Sequence, residues 1–487
     1  MLHNSTEMGK KMDNRRNGCL ILLLVLMGVV VAVKGENLVF NVKHKYGGGK
    51  GSNLNDLKSH DSRRHGRMLN VIDFKLGGNG LPTDAALYYT KISVGTPSKD
   101  FHVQVDTGSD ILWVNCAGCE GCPTKSDLGI DLMSYDSKAS ATGKSVFCDE
   151  EFCMLNTPYS DCSAGRPCDF QVSYGDGSST AGFFVKDNIQ FDQVSGDLKT
   201  TSMNGSIAFG CSSRQSGDLG SSTEAVDGIL GFGQASSSVI SQLASTGKVK
   251  KIFAHCLDGK NGGGIFTIGP VVYPQVNSTT LVPDAPHYNV IMKGIEVGGQ
   301  VLDTPTTMTI IDSGTTLAYL PTMAYNALID KLKERQPHLN VRLVEGTFHC
   351  FDYTGKIDDG FPVVTFRFAD SLSLTVYPHD YLFQVKETKW CIGWQASGIQ
   401  TKNGKEITLL GDLALTNKLV LYDIENQKIG WTEYDCSSSI KLNYEESSGS
   451  AYTVASHNIS SAPIMDSAKF FTLFLMIISI LFNLLKL

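Results

Sequence analysis

The sequence predicts an all-β protein made of two similar lobes with few short helices. Glycine is abundant, at 49 of 487 residues, which suits many short strands joined by tight turns. An acidic loop also occurs twice, as Asp106-Thr107-Gly108-Ser109 and as Asp312-Ser313-Gly314-Thr315. Each copy follows an apolar strand. Further along the chain, each is followed by a segment of two apolar residues and a glycine, at Ile229-Leu230-Gly231 and Leu409-Leu410-Gly411. Two β lobes that each give one acidic loop explain this repeat most simply.

The composition limits the classes of protein to consider. With 42% hydrophobic and 19% charged residues, the chain is too apolar for a disordered protein and too polar for a multi-span membrane protein. The formal net charge is −7, from 42 basic and 49 acidic residues, and no long basic run is present. We therefore expect no nucleic-acid partner.

The N-terminal part predicts export and processing. Basic residues at 10, 11, 15 and 16 precede an apolar run from Cys19 to Val33, which is typical of a signal peptide covering residues 1–35. An uncleaved anchor is the alternative. Residues 36–80 are rich in Gly, Lys, Arg and His, show no sustained strand or helix period, and resemble a removable pro-segment of a zymogen, with a flexible linker as the alternative.

The β character begins after Leu81-Pro82. Strands are predicted at Tyr88–Val94 and Phe101–Val105, with Gly95-Thr96-Pro97 opening the turn between them. Helices are predicted at 237–244 and 323–335. These elements divide into an N-terminal β lobe with a Cys-rich insert (81–280) and a C-terminal β lobe (281–436).

The C-terminal part predicts attachment to a membrane. Residues 437–460 are rich in Ser and small side chains and are interpreted as a tether. Small residues, a short spacer and an apolar run from 470 to 485 follow, which is the pattern of a GPI-attachment signal at 461–487. We expect the lipid on Ser460, with Ser461 as the alternative residue, and the protein on the outer face of the plasma membrane. An ordinary transmembrane helix is the alternative.

Two further features fit the secretory pathway. Asn204, Asn277 and Asn458 each begin an N-glycan acceptor sequence. Twelve cysteines, from Cys116 to Cys436, form an even set, which predicts disulfides in an exported chain. Zinc at Cys116 and Cys119 is a weak alternative, because no second pair follows at zinc-finger spacing.

The paired acidic loops predict a definite chemistry. Gly108 and Gly314 permit tight turns, while Ser109 and Thr315 are placed to hydrogen-bond the carboxylates. The hydroxyls of Thr107 and Ser313 are expected to bond across the lobe interface, and two carboxylates within about 3 Å share one proton. The ionised partner activates water for attack on a peptide carbonyl, and the protonated partner donates to the carbonyl oxygen, with no metal ion or cofactor required.

The residues from Leu81 to Cys436 resemble a pepsin-like aspartic protease, and most closely the plant nepenthesin-type group with GPI-anchored members. The two acidic motifs, Trp113, the Tyr174-Gly175-Asp176-Gly177-Ser178 segment, 227–233 and 409–412 carry the resemblance. It implies a bilobal fold with a central cleft, catalytic Asp106 and Asp312, and a flap in which Tyr174 and Gly175, with Trp113, contact the substrate. It also implies a polypeptide substrate, an acidic pH optimum and a monomer, with Asp412 as a structural residue.

The resemblance also implies a disulfide pattern and leaves one rival function. The implied pairs are Cys116–Cys119, Cys122–Cys211, Cys148–Cys168, Cys153–Cys162, Cys256–Cys436 and Cys350–Cys391. The rival is a catalytically inactive binding or inhibitor protein of the same fold. Both acids, both glycines and the flap tyrosine are present, which favours the active endopeptidase.

Overall fold

The structure is a computed structural model that describes residues 70–80, 88–156, 162–221, 224–344, 346–401, 403–443 and 451–460. All of them belong to one unit, His65–Leu487. The predicted signal peptide (1–35) and the predicted GPI-attachment segment (461–487) lie outside the described residues. Within these ranges, no helix has the length and apolar character that crossing a membrane requires.

Strands dominate the described residues, which confirms the all-β class. Both predicted helices are observed with bounds that differ by two residues or fewer. The strands are β1 (Ile72–Gly78), β2 (Tyr88–Val94), β3 (Lys99–Asp106), β4 (Leu112–Glu120), β5 (Lys144–Ser145), β6 (Asp169–Ser173), β7 (Ser179–Gly196), β8 (Lys199–Ser216), β9 (Gly228–Gly231), β10 (Ile252–Leu257), β11 (Gly264–Ile268), β12 (Val271–Tyr273), β13 (Asn277–Thr280), β14 (Asn289–Val297), β15 (Gln300–Val301), β16 (Thr307–Ile311), β17 (Ala318–Leu320), β18 (Arg342–Val344), β19 (Phe348–Asp352), β20 (Val364–Phe368), β21 (Ser373–Val376), β22 (Leu382–Lys386), β23 (Lys389–Ile392), β24 (Trp394–Ala396), β25 (Thr408–Leu410), β26 (Lys418–Asp423), β27 (Lys428–Glu433), β28 (Ile440–Asn443) and β29 (Ala451–Val454). The helices are α1 (Glu151–Asn156), α2 (Asp218–Ser221), α3 (Val239–Ser245), α4 (Thr322–Arg335), α5 (Ile357–Gly360), α6 (Pro378–Tyr381) and α7 (Asp412–Leu415), with a 3-10 turn at Ala369–Ser371.

The largest sheet combines strands from both halves of the chain. Its order is β13-β27-β26-β10-β11-β1-β2-β3-β9-β4-β8-β7-β5, and β6 joins it on β7. Strand β26 pairs antiparallel with β10, from Ile252 opposite Asp423 to Cys256 opposite Leu419. The last two strands of the predicted C-terminal lobe therefore lie in the same sheet as the strand that leads to the first acidic loop.

The repeat predicted from the sequence is present in the strand pairing. Strand β3 runs parallel to β9 up to Asp106 opposite Gly231, and β4 returns antiparallel to β9. In the second half, β16 runs parallel to β25 up to Ile311 opposite Leu410, and β17 returns antiparallel to β25. Each acidic loop thus leaves one strand and re-enters the sheet on the other side of a shared partner.

The second lobe has its own sheets. The larger has the order β21-β20-β14-β16-β25-β17-β24, with β15 on β14, and a smaller one has the order β18-β19-β23-β22. Helix α4 starts after Pro321 and buries Ala324, Leu328 and Leu332 on one face. Buried side chains of both lobes, Val105 and Leu410 among them, belong to one continuous hydrophobic cluster beneath the two acidic loops.

A strand precedes the predicted start of the β region. Strand β1 falls inside the segment (36–80) in which no strand period was expected, and that expectation is wrong for its last residues. It lies between β11 and β2, and Ile72, Phe74 and Leu76 are buried together with Asp73. From Ile72 to Leu76 the sequence alternates apolar and polar residues, so the local signal of a strand is present in this part of the segment. Whether residues 36–80 are removed stays a prediction.

The segment interpreted as a Ser-rich tether (437–460) is also structured where it is described, so the tether interpretation is corrected here. Strands β28 and β29 form a three-stranded sheet with β12. Ile440, Leu442 and Val454 are buried in a cluster with Cys256 and Cys436. The few apolar residues among many serines are sufficient because the two strands bury them together.

Two of the six implied disulfides are confirmed and four are wrong. Cys256–Cys436 and Cys350–Cys391 are observed. The observed pairs that replace the other four predictions are Cys116–Cys211, Cys119–Cys122, Cys148–Cys162 and Cys153–Cys168. Parallel pairing of β4 with β8 brings Cys116 within 5.4 Å of Cys211 (Cα to Cα), so Cys116–Cys119 and Cys122–Cys211 do not form.

The other two wrong pairs, Cys148–Cys168 and Cys153–Cys162, involve cysteines that crowd one site. The sulfur atoms of Cys148, Cys153 and Cys162 all lie within 4.8 Å of one another. Sequence order therefore gives no guide to which of them bond.

Candidate active site

The backbone fixes each acidic loop against the segment predicted to pack behind it. In the first lobe, the Phe232 N–H donates to the Asp106 carbonyl at 2.8 Å, and the Gly233 N–H donates to the Ser109 carbonyl at 2.8 Å. In the second lobe, the Asp312 N–H donates to the Leu410 carbonyl at 3.1 Å. Both segments singled out in the sequence, 227–233 and 409–412, thus support the loops as the resemblance implied.

The structure brings the carboxylates of Asp106 and Asp312 face to face. A Cβ atom placed on Gly108 would lie 2.6 Å from both carboxylate oxygens of Asp312. A Cβ placed on Gly314 would overlap the carboxylate of Asp106. Each carboxylate therefore occupies space that only a glycine in the opposite loop leaves free.

Each carboxylate is held by its own loop in the same way. The Gly108 N–H donates to Asp106 Oδ1 at 2.8 Å, and the Ser109 hydroxyl donates to Asp106 Oδ2. In the second loop, the Gly314 N–H donates to Asp312 Oδ1 at 2.7 Å. The Thr315 hydroxyl donates to Asp312 Oδ2 at 2.7 Å. The predicted roles of Ser109 and Thr315 agree with these contacts.

Two hydroxyls, of Thr107 and Ser313, were expected to bond across the lobe interface, and only that of Thr107 does so. The Ser313 N–H donates to Thr107 Oγ1 at 2.9 Å, and Thr107 is fully buried. The hydroxyl of Ser313 is buried and has no hydrogen-bond partner among the described residues. The expectation that Ser313 bonds across the interface through its side chain is therefore wrong, because its backbone N–H takes that place.

The two carboxylates sit in an environment that resists full ionisation. Asp106 and Asp312 are only 6% and 7% exposed. Burial first, and then the charge of Asp312, raise the pKa of Asp106 well above its usual range, although hydrogen bonds from Ser109 and Gly108 oppose the shift. Such a pair retains a proton at pH values at which an ordinary aspartate has lost it.

The flap tyrosine lies over the first loop. Strands β6 and β7 form a hairpin whose turn closes through the Tyr174 N–H, which donates to the Ser178 carbonyl at 2.9 Å. The Trp113 indole N–H donates to the Tyr174 hydroxyl at 2.7 Å, and Tyr174 is near enough to Asp106 and Ser109 to interact with both. Gly175 lies at the tip, where an added Cβ would meet nothing within 4 Å.

Apolar side chains form the wall beside the flap. Ile111, Phe152 and Leu219 are partly buried and pack with Tyr174 against a cluster that contains Trp113. Phe152 comes from α1, the short helix of the Cys-rich insert, and it packs edge-on to Phe184 with ring centroids 5.0 Å apart. The insert therefore packs against the cluster that contains Trp113 and that Tyr174 also contacts.

Sequence reasoning missed two residues that support the first loop. Asp110 Oδ1 accepts the Ala235 N–H at 2.9 Å and so ties the loop to the segment after Gly233. Its position beside the motif was the available clue. Tyr422, on β26, is fully buried and lies near enough to Thr107 and Asp312 to interact with both. No spacing in the sequence connects Tyr422 with Thr107.

Asp412 lies behind the second loop and is enclosed. It is 2% exposed, and its Oδ1 atom has no hydrogen-bond partner among the described residues. Its N–H donates to the Thr315 carbonyl at 2.7 Å. Burial, and then the charges of Asp312 and Asp106, raise the pKa of Asp412 well above its usual range. Its burial agrees with a structural role.

The predicted modification sites lie at the surface. Asn204 and Asn277 are exposed on β8 and β13. Asn458 is half-buried, and its side-chain amide donates to the Asn261 carbonyl at 2.7 Å. Ser460 is exposed, and its hydroxyl accepts the Gly78 N–H. Glycosylation at the three asparagines and lipid attachment at Ser460 stay predictions.

Comparison with known families gives two matches that together cover both lobes. The family described as xylanase inhibitor N-terminal matches residues 88–270. The family described as xylanase inhibitor C-terminal matches residues 287–433. The boundary between them falls close to the predicted division of the lobes at residue 280.

Two plant proteins are similar over nearly the whole chain. Aspartic proteinase 36 of Arabidopsis thaliana is 51% identical over 449 residues, which are 91% of this chain and 92% of that protein. Aspartic proteinase 39 of Arabidopsis thaliana is 48% identical over 457 residues, which are 93% of this chain and 95% of that protein. These relatives support an aspartic protease function and a polypeptide substrate.

Solved structures of lower identity share the fold. Basic 7S globulin from soybean aligns with a TM-score of 0.60 at 20% identity and covers 75% of this chain and 95% of its own. Conglutin gamma from lupine seeds aligns with a TM-score of 0.60 at 19% identity over the same shares. These structures show the fold alone. The two family matches and the two aspartic proteinases of about 50% identity show that the chain belongs to the pepsin-like aspartic protease family.

Proposed function

We propose that this chain is an aspartic endopeptidase in which Asp106 and Asp312 share one proton and activate a water molecule. The observation that carries the proposal is the mutual approach of the two loops, in which each glycine makes room for the opposite carboxylate. The buried surroundings and the raised pKa of Asp106 support the shared proton.

The chemistry requires both protonation states within one pair. The ionised carboxylate takes a proton from water, and the water oxygen attacks the carbonyl carbon of the peptide. The protonated carboxyl donates to the carbonyl oxygen as the tetrahedral species forms. When that species collapses, the C–N bond breaks, the nitrogen receives a proton and the pair regains its starting state.

This chemistry predicts an acidic optimum. As the pH rises through the raised pKa of Asp106, the pair loses its proton and with it the acid that polarises the carbonyl. We also propose that the protein acts as a monomer, is made as a zymogen, carries N-glycans and is held at the outer face of the plasma membrane by a GPI lipid on Ser460. The small residues and apolar tail of the sequence support that anchor.

The test of the catalytic proposal uses the full chain expressed through a secretory pathway. It is incubated with denatured protein across roughly pH 3 to 6, with and without a statine-type inhibitor. Inhibitor-sensitive cleavage is expected, and Asp106→Asn should abolish it. Folded wild-type protein that cleaves nothing in this range would favour an inactive binding or inhibitor protein.

The test of the anchor is independent of activity. Intact cells that express the chain are treated with a phosphatidylinositol-specific phospholipase, and release into the medium is measured. Release is expected for the wild type and should be lost when residues 461–487 are replaced by an unrelated transmembrane helix. Retention of the wild type under conditions that release a known lipid-anchored control would contradict the GPI proposal.

A further inference from the structure

The small C-terminal sheet (β12, β28 and β29) presents an ordered row of side chains to solvent. Lys441 on β28 lies opposite Thr453 on β29, and Tyr273 on β12 lies opposite Lys441. Tyr273 is 58% exposed, and Lys441 is exposed as well. Because successive side chains of a strand point to opposite faces, Ile440 and Leu442 point inward and are buried. The outer face of this sheet is therefore formed by Tyr273, Lys441 and Thr453.

A leucine extends this row at the edge of the sheet. Leu198 lies at the turn between β7 and β8 and is 65% exposed. Its N–H donates to the Thr453 carbonyl at 2.9 Å, and the Thr453 N–H donates to Asp197 Oδ1 at 2.8 Å. Leu198 has a φ of 54°, a left-handed conformation that bulky side chains rarely adopt. The fold thus holds an apolar side chain in solvent at a position where glycine or asparagine is the usual residue.

The row has the chemistry of a membrane interface. Tyrosine is enriched where a membrane meets water, because its ring is apolar and its hydroxyl is polar. Lysine lays its apolar stem along such a surface and keeps its charge in water. An exposed leucine gains free energy when it leaves water. Tyr273, Lys441 and Leu198 supply these three elements, and Lys199 adds a second exposed cation beside Leu198.

The end of the described chain lies near this face. Strand β29 ends at Val454, and Ser460 follows six residues later. These six residues span at most about 20 Å when fully extended. They are bound to β1, because the Ile459 N–H donates to the Leu76 carbonyl at 2.9 Å and the Ser460 hydroxyl accepts the Gly78 N–H. The residue proposed to carry the lipid is therefore fixed on the protein, within reach of the C-terminal sheet.

We propose that the outer face of the C-terminal sheet, together with Leu198, contacts the lipid headgroups of the membrane to which the chain is attached. The inference rests on the proposed attachment at Ser460 and does not depend on the catalytic chemistry. A lipid on a residue that is fixed to the protein, rather than on a flexible tether, keeps the membrane close to the surface around that residue.

The role of this face is to orient the anchored protein. Membrane binding through side chains scales with the apolar area that they bury, and this row offers one tyrosine and one leucine with their neighbours. Such a contact is too small to hold the protein at a membrane after the lipid is removed. It is sufficient to choose which side of an already attached protein rests on the headgroups.

The test uses the full chain, purified in detergent and reconstituted into phosphatidylcholine vesicles. One set of vesicles carries bromine near the headgroup end of the acyl chains, where it quenches tryptophan fluorescence on contact. Leu198→Trp and Tyr273→Trp each place a tryptophan on the face. The matched controls are Val301→Trp and Met323→Trp, whose native side chains are 71% and 68% exposed in the second lobe. The fluorescence of the wild type, which has four tryptophans, is subtracted, and thermal unfolding checks that each variant is folded.

The expected pattern is specific to the face. An interfacial side chain lies within about 5–10 Å of the boundary between headgroups and acyl chains, so brominated lipid should remove at least about half of the added fluorescence at positions 198 and 273 and under about a tenth at 301 and 323. Should Leu198→Trp fail to fold because of its strained backbone, Tyr273→Trp gives the same information, since its backbone is that of an ordinary strand.

The possible failures are distinguishable. Protein that floats with the vesicles but shows no quenching at 198 and 273, or equal quenching at all four positions, would overturn the contact and leave the attachment intact. If the unquenched tryptophans were also shielded from soluble acrylamide, the face would belong to a second copy of the chain instead. Wild-type protein that does not float with the vesicles would overturn the attachment and the contact together. None of these measurements requires proteolytic activity.

Discussion

The two acidic loops have nearly the same backbone bonds but different surroundings. Asp106 and Asp312 each accept one backbone N–H and one hydroxyl from the loop that carries them. The Thr107 hydroxyl oxygen accepts the Ser313 N–H across the interface, whereas the Ser313 hydroxyl has no partner among the described residues. A repeated motif therefore fixes the carboxylates symmetrically, while the side-chain bond between the two loops comes from the first loop.

The largest effect should test what the loops have in common. Asp106→Asn and Asp312→Asn should each lower kcat by at least about a thousandfold, because either change removes the shared-proton pair. Cleavage of a peptide substrate at acidic pH is the measurement, with the exposed Asp303→Asn as the control. A variant that kept more than a few per cent of the wild-type activity would show that its aspartate is not essential for catalysis.

The next effect should test the mutual fit of the loops. Gly108→Ala and Gly314→Ala should each lower activity about a hundredfold, because the new methyl group pushes the opposite carboxylate away. Gly294→Ala on β14 is the matched control, since an added Cβ meets nothing within 4 Å there. Normal activity in both loop variants, measured with the same substrate, would mean that the carboxylates do not need this approach.

A smaller effect should reveal the asymmetry directly. Thr107→Val keeps the shape of the side chain but leaves the buried Ser313 N–H without an acceptor, which costs about 1–3 kcal/mol of unfolding free energy. Ser313→Ala removes a hydroxyl that has no partner and should cost under about 0.5 kcal/mol. Denaturant unfolding and kcat are measured together. Equal losses in the two variants would show that the loops are supported alike.

The smallest effect concerns the acid behind the second loop. The pKa of Asp412 is raised in the folded state, so its contribution to stability is complete below the unfolded pKa of roughly 3.9 and is lost as the pH rises through the folded pKa. Asp412→Asn cannot ionise. Its free energy of unfolding should match that of the wild type near pH 3 and exceed it increasingly toward pH 7, as measured by urea unfolding.

A gap between Asp412→Asn and the wild type that stays constant with pH would contradict this account of Asp412. Asp106 and Asp312 are present in both proteins, so the difference between the two curves reports on the acid behind the loop. Activity measured alongside should keep its acidic optimum, because the pair of Asp106 and Asp312 is intact in the variant.

The sequence was sufficient to predict the acidic loops, the segments behind them and the flap, because short local patterns determine them. It was insufficient wherever a contact depends on distant strands. The strands after Cys436 bury only a few apolar residues, which they do together with residues from distant strands. Strand β1 is different, because its alternation from Ile72 to Leu76 is a local signal that the sequence contains. The crowding of Cys148, Cys153 and Cys162 hides the pairing of the insert in the same way.

The buried contact between His255 and Tyr422 lies beyond any local pattern. His255 and Tyr422 are separated by 167 residues and meet because β10 and β26 are neighbours in the largest sheet. Hydrogen-bond partners of this kind are set by sheet register, which a single sequence does not reveal.

The mixed origin of the largest sheet has a consequence for biosynthesis. Strand β26 is made after both acidic loops, yet it pairs with β10 in the interior of the largest sheet. During synthesis from the N-terminus, β10 therefore has no β26 to pair with until most of the chain has been made. A nascent or truncated polypeptide that lacks β26 thus cannot complete the sheet that carries the first acidic loop.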